Sequence, residues 1–174
     1  MNLYLIGYRG SGKSTVAQAV ADRLQRDVID TDRLIESTAA MSISQIFSQF
    51  GASDFRERES EVIESYPATA NLVVALGGGA VLSESNRVWL RQHGKTVWLT
   101  CPPEILWQRI QADETTDQSR PDLTPFGGLA EIQQVLASRI PVYAESADFT
   151  IDVGSLSPTQ VADQVAQWWQ SVDK

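Results

Sequence analysis

Apolar positions along the chain follow two periods in alternation. LYLIG at residues 3–7 is a continuous apolar run of strand length, and from Lys13 to Leu24 the residues Val16, Val20 and Leu24 recur every fourth position with alanines between, the spacing of one helix face. DVIDTD offers a second short strand. AMSISQIFSQF and SDFRERESEVIES read as two helices, the second carrying Phe55, Val62, Ile63 and Tyr66 on one side. NLVVAL and KTVWLTC supply two more strands and FTIDV a fifth. The closing segment SPTQVADQVAQWWQSV predicts a helix whose Ser157, Pro158 and Gln160 form a capped start. Strands separated by helices predict a mostly parallel sheet covered on both faces, with ligands at the carboxyl ends of the strands. ADETTDQSRPDLTPFGG, residues 112–128, is polar and rich in Pro and Gly, and is expected to form a mobile surface loop or lid.

Composition narrows this picture. A chain of 174 residues with 43% hydrophobic content can bury one full core but not two, so residues 1–174 are expected to form a single domain. Apolar runs stay well below the roughly 18 residues needed to span a bilayer, and Met1 leads straight into NLYLIGYRG without a basic segment and cleavable apolar stretch, which predicts a soluble cytoplasmic protein. Cys101 has no second cysteine to pair with and reads as a bystander at a strand end. A net charge of −8 and a pI near 4.6 argue against a broad nucleic-acid or anionic-membrane surface. Anions must then be bound locally.

GYRGSGKS, residues 7–14, supplies a local anion site. It fits G-x-x-x-x-G-K-S between a strand and a helix, so its backbone N–H groups can converge on phosphates while the helix aims its positive end at the same place. Lys13 is placed to neutralise β- and γ-phosphate oxygens, and the Ser14 hydroxyl to ligate Mg²⁺. The motif gives no role to Arg9 or Thr15, which occupy variable positions. Thr15 is nevertheless carried in the expected nucleotide-contacting set with Gly10, Ser11, Gly12, Lys13 and Ser14.

A phosphate loop alone does not separate a kinase from a switch or a motor. Many such proteins carry a second magnesium carboxylate at the end of an apolar strand, whereas NLVVALGGG ends in three glycines. Asp30 and Asp32 do lie at a strand end, and in an extended chain residues two apart face the same way, so Asp30 can serve the metal and Asp32 an acceptor hydroxyl. The alternative is a helix N-cap for the residues from Leu34 onward, served by Thr31 or Asp32. Asp152 reads as structural. In DFRERE, Arg56 and Glu59 fall one helical turn apart; a guanidinium held by a neighbouring carboxylate is a good fork for a substrate carboxylate, while Glu57 and Arg58 read as solvated. Arg120 and Arg139 add cations on later segments. His93 is expected in a surface loop, and Trp168 and Trp169 as one core-facing and one partly exposed ring.

GYRGSGKST, DTD, FRERE read as F-R-x-x-E, LGGGAV, RPDL and RIPVYAESAD, in this order and at compatible spacings over nearly the whole chain, resemble the shikimate kinase family. The resemblance implies an α/β P-loop fold of the nucleoside-monophosphate-kinase-like type, with a five-stranded parallel sheet. The activity it implies is transfer of the γ-phosphoryl group of ATP to the 3-hydroxyl of shikimate in aromatic amino-acid biosynthesis, with Mg²⁺ as cofactor. It further implies that Lys13 and Ser14 act on ATP and magnesium, Asp30 near the metal and Asp32 on the shikimate hydroxyls. Arg56 and Arg139 would clamp the shikimate carboxylate, with Glu59 orienting Arg56. Gly77, Gly78 and Gly79 would lie against the substrate, letting the ring and the transferring phosphoryl group approach backbone N–H groups. Arg120 would swing in with the lid, Arg109 would lie near the adenine, and Lys13, Asp32 and Arg120 would be the catalytic set. No nucleic acid or membrane partner is implied, and a monomer is expected. One departure stands out: the lid often reads Arg-Pro-Leu-Leu in this family, whereas Asp122 here separates Pro121 from Leu123. A gluconate-type sugar-acid kinase and a nucleotide-dependent binding module without transferase activity are the competing expectations.

Overall fold

Leu3 and Leu5 are fully buried and Tyr4 and Ile6 are 1% exposed, which is why β1 (Asn2–Ile6) reads as an unbroken apolar run: a central parallel strand has a covered face on both sides. The computed structural model describes residues 1–113 and 127–172 of the chain. Around β1 stand β2 (Val28–Asp30), β3 (Val73–Ala75), β4 (Gly94–Thr100) and β5 (Phe149–Asp152), in the order β2-β3-β1-β4-β5, every pairing parallel. Leu5 sits opposite both Ala75 of β3 and Val97 of β4. From β1 the chain goes to the β2 edge, returns to β3 beside β1 and then crosses to β4 and β5 on the other side, which opens a crevice at the carboxyl ends of β1 and its neighbours. The five predicted strands are all present.

The described residues form helices α1 (Lys13–Leu24), α2 (Thr31–Ala39), α3 (Ile43–Glu64), α4 (Glu84–His93), α5 (Pro103–Ala112), α6 (Gly128–Ser146) and α7 (Pro158–Val172). α1 packs on α7 and α5 on α6. The main core draws on all five strands, with Val16, Val20, Leu106, Ile132 and Val161 from the helices. A second, smaller apolar cluster of Ile35, Ile43, Ile46 and Phe55 joins α2 to α3. The predicted capped start of α7 is present, with Ser157 N donating to Gln160 Oε1 at 2.9 Å and Gln160 N to Ser157 Oγ at 3.3 Å. Trp169 is 2% exposed while Trp168 is half-buried against Phe149, as expected for that pair. No helix among the described residues is long and apolar enough to cross a membrane. Of the predicted lid, residues 114–126, with Arg120 and Asp122, lie outside the described residues.

Two local expectations are corrected. DTD does not continue as an extended strand: the Asp30 carboxylate accepts from Arg33 N at 3.2 Å and caps α2, so the chain turns into a helix at Thr31. His93 is not in a loop but closes α4, its ring stacked on Trp89 at 3.7 Å and its Nδ1 2.9 Å from the Trp89 carbonyl. The two helices predicted on either side of Gly51 are both present: α3 is two helical segments that meet at a kink at Gly51, whose φ of 84° and ψ of 176° are not helical.

That backbone conformation is open to glycine and strained for any other residue, and a Cβ added at Gly51 would touch nothing within 4 Å. Gly51→Ala should therefore cost about 1–3 kcal/mol through the backbone alone. Urea titrations of the two proteins measure it; equal midpoints would mean that α3 can straighten without loss.

Candidate active site

The loop after β1 wraps the Lys13 side chain. Its Nζ donates to the carbonyls of Gly7 and Tyr8 at 2.8 and 2.9 Å, and the residue is 9% exposed, so the ammonium is held by the loop it serves rather than by solvent. Gly12, with φ 85°, caps α1 without a side chain. Beyond the loop opens a cleft of about 420 Å³ lined by Lys13, Ser14, Thr15, Asp30, Asp32 and Arg109 among others. Ser14 Oγ donates to Asp30 Oδ2 at 2.5 Å, which brings a hydroxyl and a carboxylate, two hard oxygen donors, to the mouth of the phosphate loop. Asp32 reaches the same cleft from the first turn of α2, so the two carboxylates share a site as expected, though by a helical turn and not by strand geometry.

Thr31, between them, is fully buried and was missed as a site residue. Its hydroxyl donates to Ala75 O at 3.4 Å and accepts from Gly77 N at 3.0 Å, fastening α2 to the glycine run after β3. The Gly77 N–H is thus already engaged. What presses on Gly77 and Gly79 is the protein's own charge: a Cβ on Gly77 would fall on Glu59 Oε1 and 2.7 Å from Asp32 Oδ1, and one on Gly79 would fall on the Arg56 guanidinium. Gly78 lies against the phosphate loop, where an added Cβ would stand 3.4 Å from Gly7 O and 3.5 Å from Arg9 N.

Glu59 is 1% exposed on the buried face of α3 and forms an ion pair with Arg56, whose side chain is 36% exposed at the rim. Burial pushes the Glu59 carboxyl above the usual carboxylate range, and the charges of Arg56 and Arg139 pull it part of the way back. Both predicted arginines therefore act on one buried carboxylate. Arg139 comes from α6, where its Nη1 donates to Gly78 O at 3.3 Å and its guanidinium lies 5.7 Å from the Tyr8 ring. Tyr143, one turn further along α6, donates to the same Gly78 oxygen at 2.5 Å. Burial raises its pKa above the ordinary phenol value, so it stays a neutral donor. The signal for Tyr143 was its position four residues after Arg139, on the same helix face.

On the far side of the phosphate loop, Arg109 donates to Val153 O at 2.8 Å and stands 3.8 Å from the buried Cys101 Sγ, closing one wall of a crevice formed by Ser11, Thr15, Leu156 and Pro158. Asp152 accepts from Gly154 N at 2.7 Å, the structural role expected of it. Arg120 lies outside the described residues. Arg9, given no role by the motif, lines the cleft with a side chain only 10% exposed and paired with the fully buried Glu131 of α6 at 3.5 Å.

A phosphate loop at the carboxyl end of a parallel sheet, beside a cluster of two arginines, a buried carboxylate and bare glycine backbone, is the arrangement of a P-loop kinase. A family model described as shikimate kinase matches residues 9–170. Shikimate kinases of Synechococcus sp. (strain JA-3-3Ab) and Rhodopirellula baltica are 42% and 39% identical to this chain, over 99% and 94% of its length and 87% and 88% of theirs. The structure of shikimate kinase from Acinetobacter baumannii in complex with shikimate is 34% identical and superimposes with a TM-score of 0.89, covering 98% of this chain and 93% of that one. The chain belongs to the shikimate kinase family.

The raised Glu59 pKa has a definite sign in stability. The folded chain holds this proton more tightly than the unfolded one, so its contribution is present below the ordinary carboxylate range and is lost as pH rises through the raised value. The melting-temperature difference, Glu59→Gln minus wild type, should therefore grow as pH rises from acid towards neutral, while the variant loses activity with its Arg56 ion pair. A difference that stays flat with pH would show that Arg56 fully compensates the burial.

Proposed function

We infer that the cleft transfers the γ-phosphoryl group of ATP to the 3-hydroxyl of shikimate, giving shikimate 3-phosphate and ADP. The observation that carries the acceptor assignment is the convergence of two arginines on the glycine run next to the phosphate loop: Arg56, ion-paired with the buried Glu59, lies against Gly79, and Arg139 donates to Gly78 O. A binding module has no use for a second anion site there, two planar forks suit a carboxylate, and against a gluconate-type kinase, which also takes an acidic substrate, stand the F-R-x-x-E segment and the triple glycine together.

In this reading Gly10, Ser11, Gly12, Lys13, Ser14 and Thr15 hold the triphosphate, and Lys13 offsets charge spread over the transferring oxygens. Ser14 and Asp30 fit Mg²⁺, which prefers one or two protein oxygens together with phosphate and water and, when bound, supplies charge neutralisation at the β- and γ-phosphates. Asp32 hydrogen-bonds the acceptor hydroxyl and takes its proton. Arg56 and Arg139 fix the acceptor by its carboxylate, Glu59 sets the Arg56 fork, and Gly77, Gly78 and Gly79 leave room for the ring. Arg109 lines the base-side crevice. Arg120 and the loop around it are carried from the sequence, as are a single monomeric domain and a cytoplasmic setting. Little covalent work falls to the protein; positioning and electrostatics do the catalysis.

Coupled measurement of ADP release tests this directly. Release should depend on shikimate and stay at background with gluconate; release with gluconate, or nucleotide binding without any acceptor-dependent release, would overturn the reading. The clamp has its own test. Arg56→Lys or Arg139→Lys keeps the charge but loses the fork, and should weaken shikimate binding by about 1–3 kcal/mol. Calorimetry with shikimate and with an analogue lacking the carboxylate separates the causes: the difference from wild type should vanish with the analogue.

A further inference from the structure

Arg9 and Glu131 are far apart in sequence and both nearly out of water: their side chains are 10% and 0% exposed, with Arg9 Nη2 3.5 Å from Glu131 Oε1. Arg9 Nε is also buried, with no hydrogen-bond partner. Moving two opposite charges into the interior costs more desolvation than an apolar pair of similar volume, so such a pair is weak as a source of stability and strong as a source of geometry. Its position shows what geometry. Arg9 belongs to the phosphate loop, and its backbone N lies close enough to Gly78 that a Cβ added there would stand 3.5 Å from it. Gly78 O receives Arg139 and Tyr143 from α6. Glu131 is in the first turn of that helix, which opens on Gly127 and Gly128 with φ of 59° and 66° and so without side chains at the turn. The path from Arg9 through Gly78, Arg139 and α6 to Glu131 returns to Arg9. It is a closed path, three of whose links are a hydrogen bond, a helix and an ion pair and the fourth the close approach of Gly78 to Arg9, between the phosphate loop and the side of Arg139.

We propose that the Arg9–Glu131 pair is a positioning device for the acceptor clamp, fixing the start of α6 to the phosphate loop and thereby setting where Arg139, about 12 Å further along that helix, stands against Gly78. This rests on the reading of Arg139 as a substrate-carboxylate ligand. Neither member of the pair needs to touch shikimate; they act through Arg139.

The test uses the full chain as Arg9→Met, Glu131→Gln and the double variant Arg9→Met/Glu131→Leu, with melting temperature, ADP affinity, kcat and the KM for shikimate measured for each. Each single variant should raise the shikimate KM by about tenfold, with kcat and ADP affinity within about threefold of wild type. The double variant, with an apolar pair in place of the charges, should recover the wild-type melting temperature yet keep the raised KM, no worse than the larger single effect, because both residues serve one contact. If the singles do not fold, the double variant alone carries the test. A double variant with wild-type KM would make the pair merely structural and overturn the proposal. So would lost ADP affinity in Arg9→Met with Glu131→Gln silent, which would make Arg9 a direct phosphate ligand. Wild-type protein without shikimate-dependent turnover would instead strike the functional reading, and the proposal with it.

Discussion

The Glu59 carboxylate, buried beside bare glycine backbone, is the constraint around which the acceptor half of the molecule is arranged. A carboxylate taken out of water costs several kcal/mol unless the surroundings answer it, and here the answer comes from Arg56 on the same helix and Arg139 on another. Both guanidiniums must reach the same place, at the end of β3, where a backbone with side chains would exclude them. Gly77 and Gly79 are glycines because Glu59, Asp32 and Arg56 already occupy the space a Cβ would need. The run of three glycines is first a solution to crowding by the protein's own charges, and only then an opening for a substrate.

Sheet order turns this local arrangement into a bimolecular site. β1 and β3 are hydrogen-bonded neighbours, so the phosphate loop leaving one and the glycine run leaving the other emerge side by side, close enough that a Cβ added to Gly78 would touch Gly7 O and Arg9 N. β2 completes the set from the other side of β3. Asp30 caps α2 and receives Ser14, while Thr31 locks the same turn onto Ala75 and Gly77. One helix start thus holds the Ser14–Asp30 pair, the Asp32 carboxylate and the glycine loop in a single register. Preorganisation of this kind suits a reaction in which charge on phosphoryl oxygens must be met without reorganisation.

The sequence made legible whatever is encoded in adjacent residues. The phosphate loop, the five strands, the Arg56–Glu59 turn and the capped start of α7 each lie within one short segment. Contacts closed by tertiary structure left no such trace: Tyr143 meets Gly78 across 65 positions, and Arg9 meets Glu131 across 122. α6 was hard to read for the same reason. Its buried face mixes Glu131 and Tyr143 with Ile132 and Leu136, and it contains Pro141, so apolar periodicity is blurred where function placed polar groups. At DTD the local rule misled, because an N-cap and a strand end share the same residue and only the hydrogen bond to Arg33 N shows that the cap prevails.

The buried polar atoms without hydrogen-bond partners are not spread evenly. Among the described residues, Tyr8 Oη, Arg9 Nε and Ser11 Oγ belong to the phosphate loop, Glu59 Oε1 stands beside the glycine run, and Asn86 Oδ1, Arg87 Nε and Trp89 Nε1 belong to α4. Each such atom costs stability, and a fold selected for stability alone would replace several of them with apolar groups. Their concentration around the cleft is what a site prepared in advance for charged ligands requires, since groups aimed where ligand charge will stand cannot all be satisfied by the protein itself. The same reasoning applies to Glu59 and Arg9: each is buried at a cost the core does not need, and each holds in place an arginine or a helix that does.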